Sequence, residues 1–145
     1  MTELPDPGHQ PADDVSDAEV EAVGALTAAL ESVERARGHL YSFHQLTGKA
    51  DFELGDAVQK LRTAGRTELA DQIENDVVGR NVLAGRWTFQ IIEEYDDGYY
   101  GRVKDAERAA REQLLGGVRH VYEARLKERR RSSGRPGHEA TPDDA

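Results

Sequence analysis

Two pairs of acidic residues are the side chains of this sequence best placed to do chemistry. Glu31 and Glu34 lie three positions apart, and Glu53 and Asp56 repeat that spacing after 18 intervening residues. Carboxylates three apart project from the same side of a helix, so two such pairs on facing helices can enclose a hard cation. Magnesium prefers oxygen ligands shared with substrate phosphates, and it polarises a phosphoanhydride toward attack by water. The four acids are therefore candidate metal ligands.

The sequence around these acids resembles a family of enzymes. Residues 31–34 (Glu-Ser-Val-Glu) and 53–56 (Glu-Leu-Gly-Asp) are similar to the ExxE and ExxD motifs of MazG-type all-α nucleoside triphosphate pyrophosphohydrolases. The resemblance implies that magnesium is the cofactor and that the four acids hold it. It covers residues 31–56 only, and Arg35 and Arg37 follow the first motif where the family usually has further acids and a glycine. The alternative is a solvated helix face whose acids pair with these arginines.

Two other clusters are weaker candidates for a metal or ligand site. His39 and His44 are five positions apart, so they do not share a helix face well enough for a two-histidine metal site. His44 continues an apolar stripe, which favours a hydrogen-bonded and partly buried side chain. Residues 93–100 hold four acids and three tyrosines around an expected helix break. They fit either a polar turn with tyrosines half-packed on the core or a cation pocket.

A basic run at residues 125–135 is the candidate contact for an anion. It has six arginines and lysines against the single acid Glu128, and Arg129, Arg130 and Arg131 form its centre. The alternative is that these cations only complement the dipole at a helix C-terminus. Nucleic acid is disfavoured as a partner, because no aromatic residue is interleaved in the run and the net charge of the chain is −9.

The composition indicates a small soluble protein of the cytoplasm. The chain has 145 residues, of which 37% are hydrophobic and 32% charged, and this length suits one domain. No run approaches the ~20 apolar residues of a membrane span, and the N-terminus lacks the basic head and apolar run of a secretion signal. The absence of cysteine excludes disulfides, thiolate metal sites and cysteine nucleophiles, and it fits the cytosol.

Both ends of the chain are predicted to be disordered tails. Residues 1–15 carry three prolines and several acids with few apolar side chains, and residues 132–145 are rich in serine, glycine and proline. Such segments bury too little surface to offset the entropy lost on ordering. The helical domain is therefore predicted at residues 16–131.

Apolar residues at three- and four-residue steps predict helices throughout this domain. The first begins at a capping box, in which Ser16 and Glu19 satisfy each other's backbone amides, and it is expected to end at Gly48. A second begins at Asp51 and stops at Gly65, and a third begins at Thr67.

The rest of the domain completes the predicted bundle. Residues 86–95 alternate like a strand but also show helical spacing, and we predict a helix because no second strand is available to pair with it. A break near 97–98 and a last helix over 102–131 follow. The expected fold is an all-α antiparallel bundle, with two long helices and two or three shorter ones between them.

The lengths of the outer helices favour a role in association. A helix of ~30 residues is ~45 Å long, which exceeds the span of a compact domain of this size. It must overhang, bend or be covered by a second copy of the chain or by another helical protein. The leading hypothesis is therefore a non-catalytic helical protein that acts through a partner or by self-association. The alternative is the magnesium-dependent pyrophosphohydrolase.

Overall fold

The fold is all-α, as predicted. This computed structural model describes residues 4–142. Its five α-helices are α1 (Asp17–Thr63), α2 (Thr67–Val77), α3 (Thr88–Tyr95), α4 (Gly101–Leu115) and α5 (Val121–Arg130). A 3₁₀ turn covers Pro7–His9, and a π-helical turn, Asp96–Tyr100, joins α3 to α4. Extended pairing within 4–142 is limited to one isolated bridge between Leu83 and Arg86, and no helix in this part of the chain is long and apolar enough to cross a membrane.

Helix α1 begins at the predicted capping box. The Ser16 amide donates to Glu19 Oε2 at 2.8 Å, and the Glu19 amide donates to Ser16 Oγ at 3.2 Å. These hydrogen bonds satisfy amides that have no partner inside the helix. The hydrogen bond from the backbone of Ser16 also holds the pKa of Glu19 below its ordinary value.

Helix α1 then runs without a break to Thr63, so the predicted end at Gly48 and the predicted second helix from Asp51 are wrong. A stripe of buried and half-buried side chains continues through Gly48 at three- and four-residue steps: Leu40, His44, Thr47, Asp51, Leu54 and Val58. A helical glycine costs about 1 kcal/mol relative to alanine, and we infer that packing of this stripe offsets that cost. The helix ends instead before Gly65, which has a φ of +80° and was predicted as a stop.

Helices α2 and α3 confirm two further predictions. Helix α2 begins at Thr67, and Arg62 of α1 pairs with both Asp71 and Glu74 on it. Helix α3 forms where the sequence allowed a helix or a strand, and the Trp87 amide donates to Gln90 Oε1 at 2.9 Å at its start. The expected break after α3 is the π-helical turn, inside which Gly98 leaves the helical region.

The predicted last helix over 102–131 is wrong, because α4 and α5 divide it. Gly116 and Gly117 have φ values of +60° and +82°, and His120 is also left-handed with φ +57°. Left-handed residues end a helix, and the carbonyl of Gly117 accepts a hydrogen bond from the Arg111 guanidinium at 3.0 Å. Helix α1 is therefore the one long helix among residues 4–142, where the sequence predicted two.

The chain divides into two compact units. Unit 1 comprises Met1–Val33 with Arg102–Ala145, and unit 2 comprises Glu34–Gly101. The core of unit 1 is a cluster of four side chains that are each exposed by 4% or less: Val20, Val23, Leu115 and Val121. The buried carboxylate of Glu107 accepts hydrogen bonds from Thr27 at 3.2 Å and from Arg111 at 3.1 Å.

Unit 2 has fewer fully buried residues. Among its apolar side chains, Val58, Ala70 and Ile92 are buried. Polar contacts supplement them along α1: Asp51 Oδ1 accepts from the Gly79 amide at 2.7 Å, which holds the segment after α2 against the helix.

Parts of the predicted tails make contacts within unit 1. His9 Nδ1 lies 2.7 Å from the carbonyl oxygen of Arg119, and Val15 packs against the core cluster. The Arg131 guanidinium donates to the carbonyl of His138 at 3.2 Å. Residues 1–3 and 143–145 lie outside the described part of the chain. The disorder predicted for residues 1–15 and 132–145 stays a prediction.

Candidate functional site

The structure does not bring the two acidic pairs together within one chain. Glu34 and Glu53 lie on the same helix, and 19 residues of α1 place them about 28 Å apart along its axis. The side chains of Glu31, Glu34, Glu53 and Asp56 are all exposed. Residues 4–142 hold no group of three or more His, Asp or Glu side chains arranged to bind a metal ion. The predicted magnesium site needs two facing helices, whereas both acidic pairs lie on the single helix α1.

Glu34 instead belongs to a polar cluster between α1 and the π-helical turn. The Tyr100 hydroxyl lies 2.7 Å from both oxygens of Glu34, and this hydrogen bond raises the pKa of Tyr100. Arg37 donates to Asp96 through two bonds of 2.7 and 2.9 Å, which raises the pKa of its guanidinium. The same guanidinium lies over the rings of Tyr41 and Tyr100, at 5.7 and 5.4 Å. These groups satisfy one another's hydrogen-bonding capacity, so the cluster holds the π-helical turn against α1.

The acid and tyrosine cluster at 93–100 fits the polar-turn interpretation better than a cation pocket. Glu94 pairs with Arg86 at 2.7 Å, and Asp96 pairs with Arg37. Tyr95 is half-buried and stacks on Tyr100 with ring centroids 6.3 Å apart. Two of its four acids, Glu94 and Asp96, therefore face arginines.

His44 is the hydrogen-bonded, half-buried residue that the sequence predicted. Its Nδ1 lies 2.7 Å from Thr88 Oγ1 at the start of α3. His39 is exposed on the same helix and has no such contact within 4–142. The two histidines therefore do not form a site.

The candidate anion contact divides into one structural arginine and two exposed ones. Arg131 donates to Glu128 at 2.6 and 2.9 Å, and its side chain is almost buried. Arg129 and Arg130 are exposed and form no ion pair within residues 4–142. Binding of an anion by these two residues stays a prediction.

Comparison with known proteins adds no assignment. No family model, curated protein or solved structure matches this chain. The resemblance to the pyrophosphohydrolases is therefore untested.

The most unusual surface is the exposed apolar side chains of unit 2. Four lie on α1, where Phe52 is exposed by 80% and Leu46 by 62%, and four lie on or next to the segment between α2 and α3. We call these eight residues the apolar surface of unit 2: Tyr41, Phe43, Leu46, Phe52, Val82, Leu83, Trp87 and Phe89. Phe43 and Phe52 are nine positions apart and so lie on opposite sides of α1. Large exposed apolar side chains, and aromatic ones in particular, are typical of interaction sites.

Two residues of this surface, Val82 and Trp87, line a groove. It has a volume of about 460 Å³, with Gly48 and Leu54 of α1 on one side and Val82 and Trp87 on the other. Trp87 is exposed by 58%, and its ring meets that of Phe89 edge to face at 5.6 Å. The hydrogen bond between Asp51 and Gly79 lies in the lining and fixes the two walls relative to each other.

Sequence analysis missed this surface because it treated one stripe of α1 as the whole apolar content of the helix. Phe43, Leu46 and Phe52 do not fall on the buried stripe. That mismatch was the available signal, since large apolar residues off the core face of a helix need a second contact.

The accessible area of the chain is also large for its mass. It is 10697 Å², whereas a compact monomer of 16.1 kDa is expected to expose about 7,400 Å². Two separate compact units of half that mass would together expose about 8,900 Å².

Proposed function

We propose that this protein is a non-catalytic helical protein that self-associates through the apolar surface of unit 2. The observation that carries the proposal is the exposure of ten large apolar side chains, eight of them in the apolar surface, on a unit that buries only three apolar residues. Burying apolar surface is the main driving force of association, at about 25 cal/mol per Å².

The excess area is of the size that a stable dimer buries. It amounts to roughly 1,800 to 3,300 Å² per chain, depending on which compact reference is used. A standard interface removes about 800 Å² from each partner, and obligate homodimers remove more than about 1,000 Å² from each.

A second copy is favoured over a different protein by symmetry. Most oligomers of water-soluble proteins are homo-oligomers, and a two-fold interface needs a surface that complements itself. The apolar surface of unit 2 offers both parts: the protruding Phe52 and the groove that begins at Gly48 lie one turn apart on α1.

Light scattering coupled to size-exclusion chromatography tests the proposal. We expect a mass of twice 16.1 kDa at micromolar concentration, falling to the monomer mass on dilution. Phe52→Glu should shift this equilibrium to the monomer, because it replaces the most exposed side chain of the apolar surface with a charge. Gln72→Glu adds the same charge at an exposed position of α2 and is the matched control. A strict monomer at all accessible concentrations would overturn the proposal.

The pyrophosphohydrolase is the alternative, and it rests on the resemblance at residues 31–56. It requires Glu34 and Glu53 to share one coordination shell, and about 28 Å of helix separates them in a single chain. A panel of nucleoside triphosphates with magnesium or manganese tests it by release of pyrophosphate. Turnover that is lost on Glu53→Gln would establish an enzyme and contradict the non-catalytic role.

A further inference from the structure

A second stripe runs along α1 beside the buried one. Its spacing alternates between four and three residues over Tyr41, Gln45, Gly48, Phe52, Gly55 and Gln59. Each of these residues is exposed or half-exposed. None is charged, although 32% of the chain is. A seven-residue repeat without charges is compatible with lengthwise packing on another helix.

The glycines of this stripe have no role within a single chain. A Cβ atom added at Gly48 or Gly55 would meet nothing within 4 Å, and neither residue has a positive φ. Glycine weakens a helix relative to alanine, so the chain itself gives no reason for these two. By contrast, a Cβ at Gly24 would lie 3.0 Å from the side chain of Tyr122. A close approach by another molecule would explain Gly48 and Gly55.

The stripe is symmetric about position 50. Gly48 and Phe52 lie equally far on either side of it, as do Gln45 with Gly55 and Tyr41 with Gln59. Two antiparallel copies of α1 related by a two-fold axis at position 50 therefore place a large residue opposite a small one. Phe52 of each copy then lies over Gly48 of the other, and knobs and holes of unequal size interdigitate in this way.

We propose that two copies of this chain pair α1 with α1 in antiparallel orientation, crossing at position 50, with Phe52 of each copy entering the groove of the other at Gly48. This inference rests on the proposed self-association and specifies its geometry. The groove has room for the ring, since Gly48 is one of its lining residues and its volume is 460 Å³. The occupant is a second copy of the chain because the stripe is symmetric about position 50 and so complements itself.

The charged border of the stripe is compatible with this pairing. Lys49 and Glu53 flank the crossing point, and their charges pair within each chain at 3.5 Å. Lys49 thus offsets the charge of Glu53 within its own chain. On the other border, Asp51 accepts a hydrogen bond from the Gly79 amide and Val58 is buried.

One competing register uses the same stripe. Gly38 extends the repeat by one step, and a two-fold axis between positions 46 and 47 would set Phe52 against Tyr41 and Gly38 against Gly55. That arrangement opposes large with large and small with small, so it leaves voids between the helices. We favour the axis at position 50 for that reason.

Cysteine crosslinking tests the register, because the natural chain has no cysteine. Gln45→Cys and Gly55→Cys are prepared as separate proteins and treated with a short bismaleimide crosslinker. Each is treated alone, and the two are also treated together after they have been mixed as monomers and allowed to dimerise. We expect crosslinked dimers only in the mixture. In a dimer of one variant, the two equivalent cysteines lie ten residues apart along the paired helices, or about 15 Å.

The outcomes separate the geometry from the self-association. Crosslinking of Gln45→Cys with itself would support the competing register or a parallel pair, and it would overturn this inference while the proposed self-association stands. A dimer by light scattering that gives no crosslink in the mixture would also overturn it. A monomer by light scattering would instead remove the proposed function as well.

Gly48→Leu tests the knob and hole directly. It should weaken dimerisation at least tenfold by filling the space that Phe52 of the other copy needs. The helical circular dichroism of the dilute monomer should be retained, since nothing within the chain lies within 4 Å of the new Cβ. Ala57→Leu adds the same side chain at an exposed position off the stripe and should dimerise as the natural protein does. Unchanged dimerisation of Gly48→Leu would contradict the inference.

Discussion

Helix α1 contributes to both units, yet the two units bury it to different extents. In unit 1 the returning helices supply Leu115 and Val121, which close a core around Val20 and Val23. In unit 2 the segment between α2 and α3 leaves Leu83 and Trp87 exposed by more than half. The difference therefore comes from what returns along α1, and it shows that an amphipathic helix specifies a core only where its partner supplies apolar side chains.

The glycines of α1 repeat this contrast. Gly24 admits the side chain of Tyr122 inside unit 1, whereas Gly48 in unit 2 has open space beside it. In unit 1 the close contact is intramolecular, and in unit 2 we propose that a second chain makes it.

Truncation of one apolar side chain in each unit should give the largest difference in stability. Leu115→Ala removes a side chain that is 4% exposed and should lower the free energy of unfolding by about 2–5 kcal/mol. Phe52→Ala removes one that is 80% exposed and should change the stability of the dilute monomer by less than about 0.5 kcal/mol. Urea denaturation followed by circular dichroism measures both. Equal losses would mean that unit 2 has an intramolecular core at Phe52 and that the two units do not differ in this respect.

The same substitution at two glycines should have opposite effects. Gly24→Leu drives a side chain into Tyr122 and should cost about 1–3 kcal/mol of stability. Gly48→Leu meets nothing within its own chain and should raise the stability of the monomer by up to about 1 kcal/mol through helix propensity. Thermal denaturation at low protein concentration compares them, and a loss at both positions would contradict the proposed open space at Gly48.

Removal of the helix cap should have a moderate effect confined to unit 1. Ser16→Ala leaves the Glu19 amide without its partner and should cost about 1 kcal/mol. Hydrogen exchange measured by mass spectrometry should show faster exchange at the start of α1 and unchanged exchange in α2 and α3. Faster exchange throughout α1 would show instead that the helix opens as one body.

Changes of pH should weaken the two units at opposite ends of the scale, with the smallest effects. The pKa of Glu19 is lowered from 4.5 by its hydrogen bonds to Ser16, so its contribution is present above pH 4.5 and is lost as the pH falls further. The pKa of Tyr100 is raised from 10.0 by its hydrogen bond to Glu34, so its contribution is present below pH 10 and is lost as the pH rises. Exchange rates of peptides from each unit measure both losses.

Two variants provide the controls for these pH effects. Glu19→Gln should remove the acid dependence at the start of α1, and Tyr100→Phe should remove the alkaline dependence at the π-helical turn. If each variant leaves the corresponding dependence unchanged, other groups titrate there and the assignment is wrong.

Local signals in the sequence predicted local structure well. The capping box at Ser16, the stop at Gly65 and the start of α2 at Thr67 all depend on a few neighbouring residues, and the structure has each of them. Gly48 and Gly117 show where such signals fail, because a glycine permits a left-handed residue without requiring one. Which of them ends a helix depends on packing that is distant in sequence.

The predicted cation site depends on the same glycine and stays a prediction. The predicted cation site needed a turn at Gly48 to bring Glu34 and Glu53 face to face, and continuous helix through Gly48 separates them. The second stripe, in contrast, was present in the sequence as a repeat. It could have been found by testing α1 for a second face, since Phe52 and Gly48 fit no position of the first.

Trp87 gives the groove its own spectroscopic signal. It is the only tryptophan of the chain, and its indole lies in the groove wall with more than half of its surface in contact with solvent. Excitation at the red edge of ultraviolet absorption therefore reports on this one position without any attached dye. Fluorescence emission that moves to shorter wavelength as the protein is concentrated would follow the arrival of a neighbouring molecule at the groove in real time.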